Sequence, residues 1–224
     1  MLNTFAEEAV KKKILFMTWL FFTFIGHLPA QDLNATDSEH LPRIPPGQSV
    51  IDGFPILRIC AVPDIDHSNW SLKVTGRARN NLELDFDALM ELPSAPFTLD
   101  FHCVTGWSAL DVDFHGILLR DLIALADPLR NARFVTFKAA DGYYTSLPID
   151  ECTGDHDILA VKLNGCLIET DKGGPVRMII PLKYGYKSAM WLTEIKLTRR
   201  QELGYWEKRG YHNNADPWKE ERKQ

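Results

Sequence analysis

Cys103 closes a short apolar run in which Phe97, Leu99 and Phe101 alternate, and Val104-Thr105-Gly106-Trp107-Ser108 follows it at once. That turn offers a permissive glycine, two hydroxyls and a flat indole wall, which suit a lined pocket better than a packed core. A thiol at such a lip has two chemical uses, because the thiolate is both a soft metal ligand and a nucleophile. The plainer reading is a small buried hydrophobe, which cysteine most often is. Cys60 in Leu57-Arg58-Ile59-Cys60-Ala61-Val62 and Cys166 beside Leu167-Ile168 read as core residues, and Cys152 after Asp150-Glu151 as incidental. No C-x-x-C pair occurs among the four, which disfavours a zinc site and a disulfide scaffold.

Other stretches pair polar groups with backbone freedom. Lys172-Gly173-Gly174-Pro175-Val176-Arg177 has glycines for close backbone approach and an arginine for bidentate contact with a phosphate or a planar ring; its ordinary reading is a hairpin turn. Lys183-Tyr184-Gly185-Tyr186-Lys187-Ser188-Ala189-Met190 reads on composition as an edge strand with solvated lysines. Asp141 before Gly142 is a turn former, and a ligand contact as the alternative. The ring-rich tail from Tyr205 to Trp218 reads first as a wrap on the domain; Tyr211 or His212 at a substrate mouth is the second reading. His102 adjoins Cys103 but points to the opposite face if the strand persists.

The elements that must position these residues are short. Alternation predicts strands over Trp70 to Val74, Arg133 to Ala139 and Tyr144 to Leu147, the last two joined by the Asp141-Gly142 turn. Ile158 to Leu163, then Asn164-Gly165 and Cys166 to Ile168, reads as a buried strand with a tight return; Val176 to Ile180 and Trp191 to Leu197 add two more. Asp85 caps a short helix ending before Pro93, and Leu118 to Ala126 forms a second, ending at Asp127-Pro128. Phe54 to Val62 reads as an extended segment running into the domain. Many strands and few helices, in no alternating rhythm, predict an α+β domain with mixed β-sheets.

At 224 residues the chain suits one ordinary domain, and 25 Lys and Arg against 30 Asp and Glu, a net charge of −5, give no overall basic character to attract nucleic acid. Lys11-Lys12-Lys13 precede an apolar run from Ile14 to Ile25, the layout of a signal peptide or membrane anchor over residues 1–30. The lysines before it place the N-terminus inside and the domain outside the membrane. Residues 31–49, punctuated by Pro42, Pro45 and Pro46, read as an exposed linker, and residues 50–224 as the domain.

Taken in order, three motifs resemble the sulfite oxidase and methionine sulfoxide reductase superfamily of molybdopterin-binding oxidoreductases. They are Asp100 to Ser108 with Phe114-x-Gly116 and Leu118 to Leu122; Gly173 to Arg177 leading into Pro181-x-Lys183 to Ser188; and Gly204-Tyr205-Trp206-Glu207 to Trp218. The resemblance covers roughly Val50 to Arg222. It implies a sulfite-oxidase-like molybdopterin-binding fold and a molybdenum-molybdopterin cofactor with the Cys103 thiolate as metal ligand. It further implies cofactor contacts from Asp141, Lys172, Gly173, Arg177, Lys187, Ser188, Ala189 and Met190. Lys172 stands where the family's reductase has asparagine, and Met190 where lysine is frequent. Exported members carry twin-arginine signals; this chain has only lysines, which leaves a cytoplasmic location open.

The implied reaction is oxygen-atom and two-electron transfer on a small substrate, with electrons exchanged with a membrane or soluble partner. Sulfite oxidases place arginines directly after the molybdenum cysteine, whereas Val104-Thr105-Gly106-Trp107 stands here, which favours a sulfoxide-type substrate. Two other classes compete: a metal-free cysteine-nucleophile enzyme using His102, His115 or His212, and a non-catalytic pterin-binding module.

Overall fold

The computed structural model describes residues 41–224. The apolar run read as signal or anchor, and the linker as far as His40, lie outside the described residues. Among those described, no helix is long and apolar enough to cross a membrane.

Two mixed sheets carry the domain. The first is built from β1 (Ser49–Val50), β4 (Ala95–Cys103), β5 (Trp107–Leu118), β8 (Ile158–Leu163), β9 (Cys166–Leu167) and β10 (Arg177–Ile179). Its long member β5 pairs antiparallel with β4 and β8 and parallel with β1. The second sheet runs in the order β3 (Leu82–Asp85), β2 (Ser71–Gly76), β11 (Leu192–Thr198), β6 (Phe134–Ala139), β7 (Tyr144–Pro148). Its parallel pair β2 and β11 joins chain segments far apart in sequence. This is the α+β mixed-sheet architecture that the strand-rich pattern predicts.

The helices follow their capping signals. Over α1 (Phe86–Met90) the Asp85 carboxylate accepts the Ala88 N–H at 2.8 Å, satisfying one of the unpaired donors of the first turn. The second helix, α2 (Leu119–Ala126), buries Leu119, Leu122, Ile123 and Ala126 and stops at Asp127, which takes the left-handed conformation at φ 52° before Pro128.

The core of the first sheet gathers Leu99, Phe101, Ala109, Val112, Phe114, Ile158, Ala160, Ile168 and Ile179. Phe54, arriving from the irregular segment before β2, is wedged edge-on between Phe101 and Phe114, at 5.0 and 5.7 Å between ring centres. In the second sheet Leu72, Val74, Val135, Phe137, Leu147, Ile195 and Leu197 are buried.

Several expectations are corrected. Cys60 and Cys166 are exposed, not core: Cys60 lies in irregular chain and Cys166 just past the Asn164-Gly165 turn, so apolar neighbours do not bury them. Cys152 is fully buried, carried under the domain by a 3-10 turn over Ile149–Cys152. Residues 42–49, read as the end of an exposed linker, are tied down instead. Arg43 pairs with Asp100 and Asp111, the Trp218 indole donates to the Pro42 carbonyl at 2.6 Å, and the Gln48 amide donates to the Cys103 carbonyl at 3.1 Å. The compact unit accordingly spans Pro42–Gln224.

Candidate active site

β4 delivers Cys103 at its last position, 8% exposed, with Sγ 3.1 Å from the Thr105 hydroxyl. Strand alternation puts Phe101 and Cys103 on one face, and both line a cavity of about 230 Å³. His102 takes the other face. It is buried against the edge of Trp218, with Nδ1 2.8 Å from the Ser108 hydroxyl, and burial pushes its pKa down to about 4, so it is neutral at pH 7.

Both ends of the described chain hold the turn after Cys103. Its backbone is closed by the Gly106 N–H on the Cys103 carbonyl at 3.1 Å, and Ser49 N–H reaches the Gly106 carbonyl at 3.0 Å. Arg222 donates to the Val104 carbonyl, and Gln48 occupies that of Cys103. A thiol on a turn so pinned is preorganised.

The opposite wall comes from the chain leaving β10. Arg177 is 4% exposed, and its Nη1 donates to the Lys172 carbonyl at 2.9 Å. Its Nε has no hydrogen-bond partner, and no carboxylate lies within ion-pair distance among the described residues. Burial pulls its pKa down to about 10, still far above neutrality, so the guanidinium is a buried, uncompensated cation stacked 5.0 Å over Phe54. Such a group is costly unless a ligand completes it.

The 3-10 turn Gly185–Lys187 then lies directly on β4: a Cβ on Gly185 would fall 2.4 Å from the Phe101 ring, so glycine permits this approach. Ser188, Ala189 and Met190 follow in the wall. The Ser188 hydroxyl accepts the Ile180 N–H at 3.0 Å, and the Ala189 carbonyl accepts that of Met178 at 2.8 Å. Asp141 also lines the cavity, its carboxylate engaged by the Tyr143 N–H at 2.9 Å.

Six of the nine expected site residues thus meet: Cys103, Asp141, Arg177, Ser188, Ala189 and Met190. The other three stand outside the cavity lining. The Lys172 side chain is exposed and pairs with Glu169 at 2.8 Å, leaving its carbonyl as the support for Arg177. Gly173, at φ 93°, packs beneath Met190, where a Cβ would approach the Met190 side chain to 2.7 Å. Lys187 is wholly buried in an ion pair with Glu207.

Sequence reading missed other wall residues: Pro55, Leu57, Arg58 and Ile59 from the irregular segment, Tyr143, and Trp206 from the tail. The tail both wraps and lines: Tyr211 reaches the cavity, while the His212 ring sits 3.2 Å from Glu221 and does not. Among the described residues no histidine lines the cavity, and the half-buried His115 is held away from it by Ser94 at 3.0 Å. A cysteine-nucleophile reading therefore lacks its base.

The model of the family described as oxidoreductase molybdopterin binding domain matches residues 59–206. The chain belongs to that family. The uncharacterized oxidoreductase YuiH of Bacillus subtilis is 36% identical, over 83% of this chain and 94% of that protein. The catalytic subunit MsrP of a protein-methionine-sulfoxide reductase from Burkholderia mallei is 31% identical, over 66% of this chain and 51% of its own length. This chain therefore spans about half of MsrP. Among solved structures, the sulfane dehydrogenase SoxCD of Paracoccus pantotrophus aligns with a TM-score of 0.57 at 18% identity, covering 62% of this chain and 41% of that one, a likeness of fold.

The domain is thus a molybdopterin-dependent oxidoreductase domain of the sulfite-oxidase-like type, and its cofactor is molybdenum-molybdopterin. The described residues fit that group: a soft sulfur donor and an orphaned, buried guanidinium N–H share one cavity.

Proposed function

We propose that this cavity holds the molybdenum cofactor, with Cys103 as the protein ligand to the metal, and that the enzyme reduces a sulfoxide-type substrate. The single observation carrying the reading is that Cys103 and the ligand-seeking Arg177 share a wall-lined space of about 230 Å³. The likeness to MsrP, the catalytic subunit of a protein-methionine-sulfoxide reductase, supports the substrate class.

When bound, the cofactor supplies a two-electron, oxygen-atom-transfer centre. The chain supplies the rest. Arg177 offers its free Nε–H to the anionic or ring-acceptor part of the cofactor, and Ser188, Ala189 and Met190 shape the same wall. The Thr105 hydroxyl, 3.1 Å from Sγ, donates to the thiolate and fixes its direction. Trp107, Trp206 and Tyr211 present aromatic surface that excludes water and favours a polarizable sulfur.

In the reaction a sulfoxide accepts two electrons and two protons, giving a thioether and water. The Tyr143 hydroxyl is committed to the Tyr186 carbonyl, and that of Tyr186 to the His212 carbonyl at 2.7 Å. The Tyr211 hydroxyl has no partner among the described residues, so it is free to donate to the sulfoxide oxygen. Electrons come from a separate redox partner.

The test is metal and pterin analysis of protein made in a molybdenum-replete host. Sulfoxide-dependent oxidation of reduced viologen is then compared with sulfite-dependent reduction of ferricyanide. Sulfoxide turnover with one molybdenum per chain is expected; fast sulfite oxidation without sulfoxide turnover overturns the substrate class.

A further inference from the structure

The cavity wall carries two guanidinium groups and one carboxylate. The carboxylate, Asp141, is engaged by a backbone N–H, and Arg177 is sunk in the wall with one hydrogen bond to a carbonyl. Arg58 is different. It lines the cavity yet is exposed, and among the described residues it makes no hydrogen bond and no ion pair. Arg43, Arg79, Arg120, Lys138, Lys183 and Lys196 each have an acidic partner, whereas the two cations of the cavity wall, Arg58 and Arg177, have none among the described residues.

The backbone that presents Arg58 is fixed close by. Phe54, four residues earlier, is clamped between Phe101 and Phe114, and Pro55, Leu57 and Ile59 all contribute to the wall. Leu57, beside Arg58, is 59% exposed. A cation set among apolar and aromatic side chains attracts an anion more strongly than one on an open polar surface, because the low-dielectric wall screens it less. The stretch Val104 to Trp107 carries no cation, but the fold brings one from 45 residues upstream of Cys103.

We propose that Arg58 orients the substrate, and that the substrate is a sulfoxide bearing an anionic group such as a carboxylate. This deepens the sulfoxide reading and rests on it. One uncommitted guanidinium matches one carboxylate as a charge-assisted, two-pronged pair, and the neutral sulfoxide end is left against the aromatic wall.

Methylsulfinylacetate and its neutral amide, methylsulfinylacetamide, are compared with the full chain loaded with cofactor. The wild-type protein is expected to favour the acetate in kcat/KM by about tenfold, less so as salt rises. Arg58→Ala loses about tenfold on the acetate and nothing on the amide, Arg58→Lys recovers part, and molybdenum and pterin contents stay as in wild type.

A second readout needs no turnover: binding of methylsulfinylacetate to the oxidised protein, followed by tryptophan fluorescence, weakens about tenfold in Arg58→Ala. Equal binding and equal preference in wild type and Arg58→Ala overturn the proposal. So does loss of cofactor from Arg58→Ala, which would assign this residue to the cofactor. If neither sulfoxide is turned over while the acetate binds in an Arg58-dependent way, the sulfoxide reading fails and the anion site stands.

Discussion

The Lys187 ammonium meets the Glu207 carboxylate with neither side chain exposed. Lys187 also donates to the Ser146 carbonyl at 3.0 Å, the Thr145 hydroxyl donates to Glu207, and the second Glu207 oxygen has no partner. Burial pushes the Lys187 pKa down while Glu207 pushes it back up. Each partner adjoins a cavity-lining ring, Tyr186 and Trp206. The pair therefore joins the turn after β10 to the tail.

Breaking that pair leaves a buried charge alone. Glu207→Leu or Lys187→Met is expected to cost about 3–5 kcal/mol, and the double substitution clearly less than the sum. Urea denaturation of the four proteins gives the cycle; additive losses would show that the two groups do not interact.

Cys103→Ser replaces a soft donor with a hard, far less acidic one. Activity is expected to vanish and the molybdenum(V) paramagnetic signal to change, with the pterin largely retained because Arg177 and the 188–190 wall are untouched. Cys60→Ser and Cys166→Ser, both exposed, should change stability by less than about 0.5 kcal/mol. Cys152→Ser buries a hydroxyl and should cost about 1–3 kcal/mol. An unchanged molybdenum signal in Cys103→Ser sinks the ligand assignment.

Asp157 gives the fold a pH dependence. Burial pushes its pKa up to about 6, against a lowering contribution from the Gly154 N–H at 3.0 Å. The folded state then holds the proton more tightly than the unfolded chain. Stability from this group is fullest below its unfolded pKa of 3.8 and falls as pH rises through about 6, by up to about 3 kcal/mol. Asp157→Asn keeps an acceptor for Gly154 and removes the titration. Its melting temperature should exceed wild type at pH 7 to 8, by about 2–4 °C per kcal/mol, and the gap should close toward pH 4. A constant gap across that range refutes the assignment.

A chain beginning at Pro42 should behave like the whole domain, whereas one beginning at Val50 loses the Gln48 and Ser49 hydrogen bonds to the cysteine turn, the Arg43 pairs with Asp100 and Asp111, and the Pro42 carbonyl that Trp218 holds. With Cys60, Cys152 and Cys166 replaced by serine, cofactor-free protein of the shorter form should react several-fold faster at Cys103 with a thiol reagent. Equal rates would mean that residues 42–49 neither hold nor shield the cysteine turn.

Several strands of both sheets are legible in sequence because turn chemistry bounds them: Asp141-Gly142 between β6 and β7 of the second sheet and Asn164-Gly165 between β8 and β9 of the first mark returns where the chain in fact turns. β5 is not legible. Its alternation is interrupted at Asp111, which takes a positive φ of 52°, and its register on β8 slips between His115 and Gly116. Cys60 illustrates the opposite error, since apolar neighbours in irregular chain carry no periodicity and so say nothing of burial. The candidate site divides in the same way. Cys103, Arg177 and residues 188–190 fall within local motifs, while Arg58, Tyr143 and Trp206 join them only through tertiary placement. Lys187 lies in a motif too, but its partner Glu207 is twenty residues away, and that pairing turns its side chain from the cavity.

Both sheets are complete by Thr198, yet Trp206 and Tyr211 of the cavity wall come after it, and so does Arg222, which fastens the cysteine turn. During synthesis this side of the cavity is consequently made after every described strand. Until Trp206 and Tyr211 are laid down, that wall of the cavity is missing. Chain order thus lets both sheets form before this wall of the cavity is in place.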